Sequence, residues 1–319
     1  MADLVTFGET MLRFSPPDEV RLETADQYDV HVAGAESNVA VASQRLGLDT
    51  VWLSKLPDSP IGRKVAGELR NHGVTCEVVW DDSPESRQGT YYFEQGQQPR
   101  GSEVIYDRAR ASVTTATPAE LSTDVVADAT CLHTTGITPA LSETLESTTE
   151  ELLAEAQSAG TLTSFDLNYR SNLWEPARAK ATLTGLFPDI DILTVAERDA
   201  KTVLDIEGDA ESTARQLNSE YGFDVVVVTR GADGALALAD DEVLEQPTYD
   251  AVSAYPVGTG DAFVGGFLSQ YLDGESVPTA LSWGAAAAAF KRSVPGDIAV
   301  ISPEELQEVI EGQTEVLSR

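Results

Sequence analysis

Hydrophobic and polar positions along this chain follow two periods in turn. Short apolar runs rich in β-branched residues read as buried strands at residues 4–8 (LVTFG), 50–55 (TVWLSK), 130–136 (TCLHTTG), 161–168 (TLTSFDLN), 191–195 (DILTV) and 224–231 (DVVVVTRG). Helical spacing fills the intervals. Residues 37–46 (SNVAVASQRL) predict a helix that starts at Ser37 and stops at Gly47, and residues 60–72 predict another. A long helix is predicted after 136, with Leu141, Leu145, Leu152 and Leu153 marking one face. The alternation predicts an α/β fold: a doubly wound, mostly parallel sheet with helices on both faces. Ligands of such sheets sit beyond the carboxyl ends of the strands.

Two regions break the alternation. Residues 12–32 hold short alternating stretches, and residues 89–108 (GTYYFEQGQQPRGSEVIYDR) read as a hairpin with a polar turn. Neither needs a helix. Together they predict a small β-sheet projecting from the main body as a lid. With no internal repeat, low-complexity segment or interdomain linker, residues 1–319 are expected to form a single domain.

Charge narrows the setting. The 319 residues carry 53 Asp and Glu against 21 Lys and Arg, a formal net charge of −32, yet 42% of them are hydrophobic. That apolar share supports a sizeable core, which a disordered acidic chain lacks. Phosphate backbones and anionic membrane surfaces need clustered Lys and Arg, so neither nucleic acid nor a membrane is an expected partner. Acid residues spread along the whole chain fit a protein working in molar salt, such as the KCl-rich cytoplasm of halophilic archaea, where screening removes self-repulsion. The start, MADLVTFGE, does not read as a signal peptide, and the apolar stretch WGAAAAAF is too short to span a bilayer. The expected location is the cytoplasm. Cys76 and Cys131 lie in strand-like segments and are expected to be buried free thiols.

The candidate chemistry sits in two stretches. In PVGTGDAFVGGF (256–267), Gly258-Thr259-Gly260-Asp261 immediately precedes an apolar helix. Glycines let a ligand approach the backbone, and a helix N-terminus offers unpaired N–H groups to an anion. Asp261 would then stand as an acid group beside a bound anion. The second stretch is AGAESNVAVASQRLG (33–47). No Walker-type phosphate loop, Gly-x-Gly-x-x-Gly or Gly-x-Ser-x-Gly is present, and His31, His72 and His133 have no metal-ligand spacing.

These two stretches, in this order across an α/β pattern with a lid, resemble the PfkB-type, ribokinase-like sugar kinases over nearly the whole chain. The resemblance implies that Gly34 to Asn38 contact the sugar, that Gly258, Thr259 and Gly260 form an anion hole, and that Asp261 is the catalytic base. VTRGADGA (228–235) is similar to the family's nucleotide-binding turn. By the same resemblance Asn168, Thr229, Gly231 and Gly234, with Gly258 and Gly260, bind ATP, and Mg2+ accompanies it, its ligands left unassigned. FGETMLRFSPP, GTYYF, IYDRARAS and DLNYRSNLW are similar to 2-keto-3-deoxygluconate kinases of Entner–Doudoroff-type pathways. That implies a sugar-acid substrate surrounded by Gly34, Asn38, Tyr91, Tyr106, Arg108, Arg170, Asp261 and Asp297. The chemistry agrees independently, because arginine clamps carboxylates in bidentate fashion. A homo-oligomer through the lid strands is expected.

The chain departs from the family pattern at Tyr255, where Asp is common, and at Pro57, where Gly is. The metal-associated Asn-x-x-Glu reads Ala196-Glu197-Arg198-Asp199, and the adenine-pocket Asn falls within the alanines of 285–289. The alternatives are a kinase for fructose or ribose, which would not need Arg108 and Arg170; a non-enzymatic sugar sensor, which would not need Asp261; and a nicotinamide-dependent oxidoreductase, which lacks its fingerprint here.

Overall fold

A computed structural model describes residues 1–17, 20–96, 99–251 and 254–312. Its strands, in chain order, are β1 (Leu4–Phe7), β2 (Met11–Ser15), β3 (Asp29–Ala33), β4 (Thr50–Pro57), β5 (Thr75–Asp81), β6 (Thr90–Glu94), β7 (Glu103–Asp107), β8 (Cys131–Thr135), β9 (Leu162–Asp166), β10 (Ile192–Ala196), β11 (Val225–Thr229), β12 (Ala235–Ala239) and β13 (Glu242–Gln246). Its helices are α1 (Ala35–Arg45), α2 (Pro60–Asn71), α3 (Asp124–Ala127), α4 (Ile137–Ala140), α5 (Glu143–Ala159), α6 (Pro176–Leu186), α7 (Glu197–Val203), α8 (Ala210–Tyr221), α9 (Thr259–Leu272), α10 (Val277–Lys291) and α11 (Pro303–Glu311).

Nine strands form one sheet in the order β13-β12-β11-β10-β9-β8-β1-β4-β5. Every pairing from β11 to β5 is parallel, and β12 and β13 close the other edge as an antiparallel hairpin. Side chains of a strand buried on both faces alternate between two cores. In β11, Val226 and Val228 join the core beneath α5, α6 and α8, while Val225 and Val227 join the one beneath α9 and α10. The chain runs from β1 to β4 on one side and later to β8 on the other. That reversal makes the carboxyl ends of β1 and β8 the switch point at which such sheets bind ligands.

The remaining four strands form a second sheet, β3-β2-β6-β7. Its alternation turns Met11, Arg13, Tyr91, Phe93, Val104 and Tyr106 to one face, and Tyr92 and Ile105 to the other. Phe14, Tyr28 and Tyr92 pack ring to ring, and Tyr28, Val30, Tyr92 and Ile105 are exposed. Residues 18–19 and 97–98 of the expected lid lie outside the described residues.

Several boundaries differ from the sequence reading. Helix α1 starts at Ala35, two residues before Ser37, because Gly34 takes the extended N-cap position. Leu141 does not belong to the long helix: α4 ends there, and α5 begins anew after Ser142, whose Oγ accepts the Leu145 N–H. A 3-10 turn, Leu22–Thr24, interrupts the region expected to hold only strands. Cys131 is buried, whereas Cys76 is only half-buried on the edge strand β5.

Helix α9 is apolar around its circumference and carries the pair Gly265-Gly266, which costs about 1 kcal/mol per glycine in a helix interior. Packing supplies the reason. A Cβ on Gly265 would lie 2.5 Å from the Ala42 Cβ of α1, and one on Gly266 would lie 2.8 Å from the Trp283 carbonyl of α10. The glycines let α9 wedge between its neighbours, which fixes the position of its N-terminus. Among the described residues no helix is long and apolar enough to cross a membrane.

Candidate active site

Two cavities adjoin at the carboxyl edge of the large sheet. One, of about 420 Å3, lies between that edge and the inner face of the small sheet, and collects Gly34, Asn38, Tyr91, Tyr106, Arg108, Asn168, Arg170, Thr229, Gly258, Thr259, Gly260, Asp261 and Asp297. The other, of about 410 Å3, lies between Gly231 and Gly234 on one side and Ala285, Ala288 and Ala289 of α10 on the other, and also takes in Thr229, Thr259 and Gly260. Asn168, expected at the nucleotide, lines the first cavity and not the second.

The N-terminus of α9 forms the seam between them. Gly258 caps the helix with φ 80°, and a Cβ there would lie 2.1 Å from the Asp297 carbonyl oxygen, so only glycine fits. The first bond onto the cap runs from the Ala262 N–H to the Gly258 carbonyl at 2.9 Å. The N–H groups of Gly260 and Asp261 precede it, at the positive end of the helix dipole. A Cβ on Gly260 would meet nothing, so the second glycine of the motif is not demanded by packing.

Asp261 sits in the first turn of α9, where Asn38 Nδ2 donates to its Oδ2 at 2.7 Å. Burial pushes its carboxyl up to about 6, while the Asn38 bond and the Arg170 charge pull the other way. It is therefore ionised at neutral pH but holds its charge in a poorly solvated place. Asp166, at the end of β9, is pushed up to about 7 by burial and by the nearby Asp261 charge. Glu36 also rises to about 7 on burial, although Thr135 and Thr138 hydroxyls each donate to its Oε1 at 2.7 Å.

Arg108 and Arg170, which line this cleft, and Arg13, which backs its wall through Asp297, are held differently. Arg13 and Tyr91 are register partners on β2 and β6, and both reach Asp297: Arg13 Nη1 at 2.7 Å from Oδ2, and the Tyr91 hydroxyl donating to Oδ1 at 2.9 Å. Arg108, just beyond β7, pairs with the buried Glu9 and lies over the Tyr106 ring. Arg170 has no carboxylate within 4.0 Å among the described residues, and its hydrogen bond runs from Nη1 to the Tyr169 carbonyl at 3.2 Å.

Comparison with known proteins gives this geometry its context. The pattern of pfkB family carbohydrate kinases matches residues 1–304. The chain belongs to the pfkB family of carbohydrate kinases. It is 57% identical over 311 residues to a 2-dehydro-3-deoxygalactonokinase of the halophilic archaeon Haloferax volcanii, covering 98% of this chain and 97% of that one. It is 31% identical to a 2-dehydro-3-deoxygluconokinase of Bacillus subtilis, over 93% of this chain and 91% of the other. A crystal structure of 2-dehydro-3-deoxygluconokinase from Thermotoga maritima superposes with a TM-score of 0.91 at 32% identity, covering 98% of this chain and 100% of that one.

The site of this pfkB-family kinase contains residues to which the sequence reading gave no role: Glu9, Arg13 and Asp166, with Glu36 covered only as part of the Gly34 to Asn38 stretch and Arg198 and Asp199 only as a departure from the metal motif. Glu9 and Asp166 had a usable signal, since each carboxylate falls at or just past the carboxyl end of a strand. Arg13 had none, because its role follows from which face of β2 turns inward. Among the described residues no group of three or more His, Cys, Asp or Glu side chains is arranged to hold a metal ion. A Mg2+ carried on nucleotide phosphates needs only one or two carboxylates. Burial raises the Asp166 carboxyl most, and the nearby charges of Asp261 and Asp199 add to it, a crowding of acids that such a cation would relieve.

Proposed function

We propose that this kinase transfers the γ-phosphoryl group of ATP to the 6-hydroxyl of a 2-keto-3-deoxy sugar acid, giving the 6-phosphate and ADP. The observation that carries the reading is Arg170, in the loop just past β9: its charge acts on Asp166, Asp199 and Asp261, but among the described residues none of their oxygens is in ion-pair contact with it, which leaves its fork open in the same cleft as the raised carboxyl of Asp261. A sugar acid would bring the missing carboxylate to Arg170, with Arg108 sharing it against Glu9. Gly34, Asn38, Tyr91, Tyr106 and Asp297 would bind the remainder of the sugar. The 2-keto-3-deoxygluconate assignment rests on the relatives named for that activity, while the 57% identical relative favours its galactonate-derived epimer.

ATP would occupy the second cavity. Its adenine would lie against the alanines of α10, and its phosphates would run past Thr229, Gly231 and Gly234 to the α9 N-terminus. Asp261 accepts the proton of the attacking hydroxyl, and the N–H groups of Gly260 and Asp261 receive the charge of the moving phosphoryl group. Mg2+ would be held by Asp166 together with phosphate oxygens and would neutralise phosphate charge. The small sheet acts as a lid that excludes water. Its exposed outer face, with Val30, Tyr92 and Ile105, supports a homo-oligomer through the lid strands, which sedimentation in molar KCl checks.

The test is sugar-dependent ADP release in molar KCl across fructose, ribose, 2-keto-3-deoxygluconate and 2-keto-3-deoxygalactonate. Turnover confined to the sugar acids is expected. Faster turnover with fructose or ribose would overturn the substrate class, and ATP consumption with none of them would overturn the reading.

A further inference from the structure

The two cavities share a short list of walls: Ala196, Arg198, Thr229, Thr259 and Gly260. A phosphoryl group passing from one cavity to the other must cross this seam. Ala196 and Gly260 bring no polar side chain, and Thr229 and Thr259 bring hydroxyls, with the Thr259 Oγ1 already donating to the Pro256 carbonyl at 2.7 Å. Arg198 is therefore the one charged side chain among the described residues that faces both cavities.

How Arg198 is held bears on what it does. Its side chain is 78% exposed, so it is not a core or packing residue, and it meets Asp199, whose side chain is 9% exposed, through Nε at 3.2 Å. That contact uses the inner edge of the guanidinium and not the Nη edge, the fork that matches two oxygens of a phosphoryl group. Helix α7 begins at the carboxyl end of β10, so the strand fixes its base while the buried Asp199 sets its direction. In a chain of net charge −32, an arginine at the seam that Thr259 and Gly260 of α9 also line adds positive charge to that of the helix N-terminus, where phosphate charge must be met.

We propose that Arg198 is a catalytic residue that holds the non-bridging oxygens of the phosphoryl group in transit, and that Asp199 is its positioning residue. This rests on the kinase reading above. In the step, the bond from the γ-phosphorus to the β-γ bridging oxygen breaks and its electron pair leaves with ADP. The sugar hydroxyl oxygen forms the new bond to phosphorus, and its proton goes to Asp261. Arg198 gives and takes no proton. Its fork follows the three equatorial oxygens as the phosphorus moves between the cavities, so its contribution is largest midway.

The experiment compares the full-length protein with Arg198→Ala, Arg198→Lys and Asp199→Asn in molar KCl. Three quantities are read: sugar-dependent ADP release, ATP affinity by calorimetry, and the reactivity of Arg198 toward phenylglyoxal, located by mass spectrometry with and without ATP. R198A should lower kcat by ~10²-fold or more, the range for losing one donor to a transition-state oxygen. KM for the sugar and Kd for ATP should stay within a few-fold. R198K, a point charge without the fork, should recover only part of the loss. Millimolar guanidinium should raise the turnover of R198A, which a purely structural role would not allow. D199N should lower kcat less than R198A, with the same split between kcat and KM. ATP should protect Arg198 from modification.

An active parent whose R198A variant keeps kcat within threefold overturns this inference and leaves the kinase reading standing. So does an R198A variant whose loss lies wholly in ATP affinity, which would make Arg198 a ground-state binder. A parent that releases no ADP with any sugar acid overturns the reading and this inference together.

Discussion

The two cavities meet at one helix end yet are built on opposite principles. The cavity proposed for the nucleotide has one wall of Phe263, Ala285, Ala288 and Ala289, another of the Gly231–Gly234 turn, and charged residues Glu197, Arg198, Arg230 and Arg292 among the rest of its lining. The sugar cleft is crowded with ionisable groups, among them Glu9, Glu36, Asp166, Asp261 and Asp297 facing Arg108 and Arg170. All five of those acids have carboxyls raised by burial, and Arg13, Arg108 and Arg198 are already tied to Asp297, Glu9 and Asp199. One pocket has a wall of small apolar side chains and, among the described residues, no buried cluster of acids, and the other is crowded with them, so a substitution in a wall that the two do not share should act on one substrate and spare the other.

Asp261→Asn is expected to have the largest effect, because it removes the charge on which the cleft converges. Turnover should fall by ~10²–10⁴-fold, the span of a positioned acid–base group, with ATP binding little changed. In the parent, turnover should decline as pH drops below about 6, where Asp261 takes up its proton; the observed midpoint belongs to Asp261 and its carboxylate neighbours together. The linked stability has a definite sign. A carboxyl whose folded value lies above its unfolded one binds more protons in the native state, so Asp261 costs stability progressively between about pH 4 and 6 and fully above that. D261N should melt no lower than the parent at pH 8. A lower melting temperature would trace its lost activity to unfolding.

Arg170→Ala comes next. Losing a charge-assisted, bidentate bond should cost about 2–4 kcal/mol, read as a raised KM for the sugar acid and an unchanged KM for ATP. Arg108→Ala should also spare ATP, but it strands the buried Glu9 and should lower the melting temperature as well. If both variants move the two KM values equally, the division of labour between the cavities fails.

Ala288→Phe probes the other side. Filling the half-buried α10 wall of the nucleotide cavity should cost about 1–3 kcal/mol, raising KM for ATP by roughly tenfold or more while the sugar-acid KM stays within twofold. An equal effect on both substrates would mean that the pockets are not separable.

The smallest effect on the site should come from salt. The Debye length is about 8 Å at 0.15 M and about 3 Å at 1 M. Repulsion across a surface of net charge −32 is therefore screened strongly over that range, and salting-out ions also favour burial. The melting temperature should rise by several degrees from dilute buffer to molar KCl. Buried pairs such as Arg13–Asp297 are shielded from the ions, so the sugar-acid KM should change only a few-fold once the chain is folded. A flat melting curve would defeat the salt-adapted reading and leave the cavities untouched.

Periodicity and short motifs determined much of this protein. The period-2 and period-3.6 runs carry the parallel sheet and most of its helices, because each element must bury an apolar face or stripe. Gly258 and Gly34 were legible because a glycine flanking a helix start signals a backbone that something must approach; the approaching groups proved to be the Asp297 and Glu9 carbonyls. Asp261 was legible as an acid in the first turn of the helix that follows those glycines, where the structure places it. Tertiary structure alone decided the rest. That Asp297 is shared by Arg13 and Tyr91 depends on the register of β2 against β6, which nothing local specifies. That Arg108 is tied to Glu9 while Arg170 has no carboxylate in ion-pair contact among the described residues, and that Arg198 stands at the seam, depends on which strand ends the sheet order brings side by side. A residue's neighbours in sequence set its conformation, but much of its charge environment comes from distant chain segments, 99 residues away for Arg108 and Glu9 and 206 for Tyr91 and Asp297.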